Sequence, residues 1–109
     1  MLPNHTDVIK AIQDRHEVLV IFPSKDDQGQ VLRRRCAPMD YGAGRISKAQ
    51  EKRYHFWDFE SDSGTNHNLS LTAEQISSVE VLDSTFDPAT FVTWETNWHV
   101  PRDTWGQYS

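Results

Sequence analysis

The chain has one cysteine, Cys36, in 109 residues, which excludes any intramolecular disulfide. MLPNHTDVIK lacks an apolar signal core, so no leader is expected, and there is no apolar run near the ~20 residues of a membrane span. A soluble, cytoplasmic protein is therefore expected, with no membrane partner. Positive charge is scarce in one half. Residues 1–53 hold ten Lys/Arg against seven Asp/Glu, whereas residues 54–109 hold only Arg102 against nine acids, for a net charge of −5. That balance disfavours nucleic acid as a partner, because a basic stripe supplies most of such affinity. The chemistry-bearing motifs are missing too. His5, His16, His55, His67 and His99 have neither the i, i+4 helical spacing nor the Cys partners of a zinc site. There is no nucleophile elbow, phosphate loop or helical pair of carboxylates. No catalytic residue, metal or cofactor is expected.

The chain does have aromatics. Four Trp and five Phe raise the burial available to a chain that is only 37% apolar. The length suits one domain, 1–109. HTDVIKAIQDR, 5–15, predicts a helix with Thr6 as N-cap and Val8, Ala11 and Ile12 on one face. EVLVIFP, 17–23, reads as a buried strand ended by Pro23, SKDDQG as a turn, and QVLRRRCAP, 30–38, as its hairpin partner. Residues 39–52, with two glycines and no period, read as a loop with a short extended piece. RYHFWDFE, 53–60, is the third strand, SDSGTNHN a hairpin loop, LSLT a short fourth strand and TAEQI a helical turn. SSVEVLD, 77–83, alternates, with Val79 and Val81 inward. Asp87 and Pro88 then open a short helix within 84–94, and the tail to 109 packs down through its tryptophans.

The expected fold is mainly β: an N-terminal helix 5–15, a small five-stranded, strongly bent antiparallel barrel over 17–83, and a short helix and packed tail over 84–109.

This order of elements resembles the WYL domain, a small Sm-like (Src-homology-3-like) barrel of bacterial regulators. Tyr54-His55-Phe56, followed by Phe59-Glu60, stands where that family carries its naming Trp-Tyr-Leu triplet. RRRCAPMDY, 33–41, and ISSVEVLDSTFDP, 76–88, match the segments on either side, and VIKAIQDRHEVLVIF matches the opening helix and strand. The resemblance covers about three quarters of the chain. It implies a non-catalytic, ligand-binding or regulatory module. Where family members carry arginines before the last strand, this chain has Thr72 and Gln75. Members are usually fused to a helix-turn-helix reader, whereas this chain has one N-terminal helix.

Two features are candidates for a site. On alternation, Tyr54 and Phe56 share one face of the third strand, while His55, Trp57 and Phe59 share the other. One set fills the core, and the other either packs under the tail or stacks on a ligand. Arg33-Arg34-Arg35, with Arg45, Lys48, Lys52 and Arg53, forms either a solvated face or an anion site. For a small anionic ligand, Arg33, Arg35 and Arg53 supply the charge, and Tyr54, His55 and Trp57 the stacking or wall contacts. The alternatives are a protein-interaction or homo-oligomerisation module anchored by Trp98 and Trp105, and a direct nucleic-acid-binding barrel.

Overall fold

The computed structural model describes residues 1–24, 29–44, 51–61 and 67–109. Helix α1, His5–Asp14, buries Val8, Ala11 and Ile12, the face its spacing predicts. Its N-cap is Asn4, not Thr6. The Asn4 side chain reaches across to donate to Val79 O at 2.7 Å, so tertiary contact moves the cap two residues upstream. At the other end Arg15 adopts φ 61° and its N–H bonds Ala11 O. Non-glycine residues seldom take that conformation, and here it turns the chain straight into the first strand.

Five antiparallel strands follow: β1 His16–Pro23, β2 Val31–Ala43, β3 Lys52–Asp58, β4 Asn68–Leu71 and β5 Ser78–Thr85. They form one sheet in the order β4-β3-β2-β1-β5. The expected closed barrel does not form. Among the described residues no ladder joins β4 to β5, and the sheet has two free edges. The reason is local. β4 is only four residues long and passes at once into a 3-10 turn, Ala73–Gln75, held by a capping box between Thr72 and Gln75. β2 is longer than expected and continues through residues 39–43 by a bulge. Pro38 faces Phe56, and the next paired residue, Asp40, faces His55. The extra residue, Met39, kinks the strand and leaves both Met39 and Asp40 on the side of the tail. The short helix expected within 84–94 is a single 3-10 turn, Pro88–Thr90, with Asp87 capping Ala89 N at 3.0 Å.

Both faces of the sheet are covered. One face carries Val18, Val20, Cys36, Tyr54 and Phe56, packed under Val8 and Ala11 of α1. The other carries Ala37, Met39, Trp57 and Phe59, packed under Phe86, Phe91, Val100 and Trp105 from the C-terminal segment. Tyr54 and Phe56 therefore fill one core, and Trp57 and Phe59 pack against the other. Val81, expected inward, is 36% exposed on the edge strand. Cys36 is fully buried, and burial pushes its thiol pKa up, which keeps it protonated and unreactive.

Candidate functional site

The six residues that sequence alone singles out do not form one site. Tyr54 is buried on the α1 face. Its hydroxyl lies 2.7 Å from His5 Nδ1 and accepts from Leu2 N at 3.1 Å, so it offers no wall to a ligand. Burial raises its pKa. Arg35 is engaged: its Nη1 lies 2.6 Å from Glu17 Oε2 and its guanidinium sits 4.9 Å above the Phe59 ring. Glu17 is itself buried and also accepts from Ser84 Oγ at 2.7 Å. Arg33 is exposed opposite Ile21. Arg53 pairs with Glu51 and donates to Ser70 O at 3.3 Å. Arg35 lies beside Phe59 and Arg53 opposite Gly42, so roughly 20 Å of strand separates them at ~3.3 Å per residue. The arginines do not converge on one anion. Arg45 and Lys48 lie outside the described residues.

Of the six, His55 alone lines a cavity, with Arg53 and Trp57 close to it. The cavity has a volume of about 400 Å³ and lies between the β3–β4 edge and the segment 94–99. His55, Leu69 and Ser70 form one wall, and Trp94, Trp98 and His99 face it across Met39 and Ala43. Arg53 borders it through Ser70, and Trp57 stands behind it, its ring 6.0 Å from Trp94 and 5.2 Å from Phe91. His67 stacks on Trp57 at 5.0 Å.

The hydrogen bonds select the tautomer of each neutral ring. His55 Nε2 lies 3.0 Å from Gly42 O, an acceptor, so Nε2 carries the proton. In the neutral ring Nδ1 then accepts from Ser70 Oγ at 3.1 Å. His99 follows the same logic, with Nε2 donating to Ala43 O at 3.2 Å and Nδ1 left as an acceptor. The His99 ring lies against Gly42 so closely that any Cβ there would collide with it. Gly42 is thus a close-approach glycine and not a turn residue.

The wall is held in place by a buried clasp that sequence reasoning missed. Asp40 accepts from His99 N at 2.9 Å and from Val100 N at 2.9 Å. Its Oδ1 lies 3.5 Å from Arg102 Nη2. The Arg102 guanidinium sits in the corner between Trp98 and Trp105, 4.4 Å from the centre of each ring, with no exposed side-chain surface. Burial lowers its pKa to about 10, against the opposing pull of Asp40. One signal was visible beforehand: a lone arginine among aromatics in an otherwise acidic half is suited to a buried carboxylate and to stacking.

Asp58 is a second buried acid. Burial raises its pKa, opposed by the Glu60 backbone N–H and by Arg34 at 3.8 Å. It lies on the Cys36 face of the sheet, away from the cavity. Among the described residues no three His, Cys, Asp or Glu side chains assemble as metal ligands, and no helix is long and apolar enough to cross a membrane. No family model matches the chain, and no curated protein or solved structure is significantly similar to it.

Proposed function

We propose that the chain is a non-catalytic ligand-binding module with a regulatory role, built on a small, strongly bent WYL-like sheet, and that its ligand site is the cavity under the tail. The cavity itself carries this reading. Its volume suits a small molecule, and it combines apolar walls with a few convergent polar groups. His55, which stands within the stretch that resembles the family's naming triplet, forms part of its wall. The engaged nitrogens of His55 favour a fixed recognition surface over proton transfer. The test is a fragment screen followed by amide and indole NMR shifts on the full chain. Binders should perturb Ser70, the Trp98 indole and His99. Fragments that bind only elsewhere, or not at all, sink the reading.

A protein-interaction or oligomerisation role is the second reading, favoured by the two free edges of the sheet. Edge strands with unpaired N–H and C=O groups are templates for another chain. Exposed Val31 and Val81 add apolar area. Sedimentation across a concentration series decides it: a strict monomer at all concentrations removes the homo-oligomer.

A further inference from the structure

Two features of the cavity narrow the ligand class. The first is its charge. Among the described residues of its walls, Asp40 is the one carboxylate and there is no Lys or Arg; Asp40 is saturated by two backbone N–H groups and Arg102. Among the described wall residues a ligand charge of either sign would find no free counter-charge, and desolvating it unpaired is costly. The second is shape. The Trp94 and Trp98 rings lie 6.2 Å apart at 73°, so they form a corner. A flat ring lying along one indole meets the other edge-on, and both arrangements are favourable aromatic contacts. Trp94 is 39% exposed, so part of its indole is uncovered.

The hydrogen-bonding polarity goes further. Ser70 Oγ–H donates to His55 Nδ1, and His99 Nε2–H donates to Ala43 O, so both hydrogens are engaged. What these two wall residues keep is acceptor capacity: the Ser70 oxygen lone pairs and His99 Nδ1. A ligand edge facing them must donate. Acceptors on the ligand would leave like-polarity groups opposed there, which discriminates against them.

We infer that the cavity takes an uncharged, planar heteroaromatic ring carrying N–H donors, of the indole or aminopurine type. This inference rests on the ligand-site reading above. The ring would lie in the Trp94–Trp98 corner with its N–H edge towards Ser70 and His99.

The test is titration of the full chain with five probes: indole, benzofuran, adenosine, cyclohexanol and citrate. Melting temperature and NMR shifts are followed together. Benzofuran keeps the shape of indole and replaces the N–H by an acceptor oxygen. Indole and adenosine should bind at the cavity, and indole about tenfold more tightly than benzofuran. Trp94→Leu, which keeps apolar bulk at a partly exposed position, should weaken indole about tenfold by removing the stacking surface. Equal binding of indole and benzofuran, preference for cyclohexanol or citrate at the same residues, or an unchanged Trp94→Leu would each overturn the ring assignment. Such results would leave the ligand-site reading standing. Absence of cavity shifts from these probes and from the fragment screen overturns both.

Discussion

Arg102 is the one basic residue beyond Arg53, and the fold buries it completely. Its Nη2 and Nε donate to Val100 O at 3.1 and 3.2 Å, and Nη1 has no hydrogen-bond partner. A buried charge with an unmet donor is costly, and its lowered pKa expresses that cost. Asp40 is the cheaper half of the clasp to keep, because three donors converge on it. Removing the two partners should therefore have unequal effects. Asp40→Ala strands a buried guanidinium and two backbone N–H groups, and should cost about 3–5 kcal/mol. Arg102→Met removes the orphaned donor and keeps apolar contact with Trp98 and Trp105, and should cost clearly less. The double variant should be less destabilised than the sum of the singles. Urea denaturation of the four proteins measures the cycle; simple additivity would mean that the pair is not coupled.

At the scale of elements, α1 is tied to the sheet by a titrating contact. His5 Nδ1 lies 2.7 Å from the Tyr54 hydroxyl, which already accepts from Leu2 N. A neutral imidazole with Nδ1 as acceptor uses the Tyr54 hydroxyl hydrogen, which a protonated ring would leave without this acceptor. Burial lowers the His5 pKa, followed by the positive N-terminus and Lys52. The unfolded chain then binds more protons between the ordinary value of 6.5 and the lowered folded value. Stability should be complete above the ordinary value and should fall as the pH drops through it towards the folded one. His5→Asn keeps an acceptor and cannot titrate, so it should flatten this slope at a fixed-pH cost of about 1 kcal/mol. Urea midpoints from pH 7.5 to 5.5 (within about one unit of the model-compound histidine pKa) compare the two; parallel slopes would remove His5 from the acid response.

Elements that carry their own period were legible in the sequence. The α1 face, β1, β5 and the Asp87–Pro88 start all form within two residues of where local pattern puts them. The second half of β2 was not legible, because its bulge breaks alternation at Met39 and its Gly42 reads as a turn residue. Only the contact with His99, far along the chain, explains that glycine. The candidate site followed the same rule. His55 stood out within an aromatic strand and Ser70 lay on the next expected strand, but Trp98 and His99 reach the site from a tail without period, so no spacing could place them there.

At the scale of the molecule, the sheet separates two cores, and Tyr41 packs against both. Trp105 carries the strongest link between the tail and the helix. It is 2% exposed, its Nε1 donates to Ile12 O at 2.8 Å, and its ring meets Phe86 at 5.4 Å and Trp98 at 5.3 Å. Thr104 Oγ1 adds a bond to Gln13 O. Folding of the tail and docking of α1 are thereby one event, even though the two clusters lie on opposite faces. Trp105→Ala should cost about 3–5 kcal/mol, a large fraction of the 5–15 kcal/mol typical of a domain. The loss should appear as a lower midpoint of one transition, with backbone dichroism and tryptophan fluorescence still coincident. If fluorescence instead melts first and dichroism holds, the tail detaches on its own and the sheet with α1 is the folding unit. The cavity wall would then open at a free energy below that of global unfolding, and ligand binding would be coupled to closing the tail.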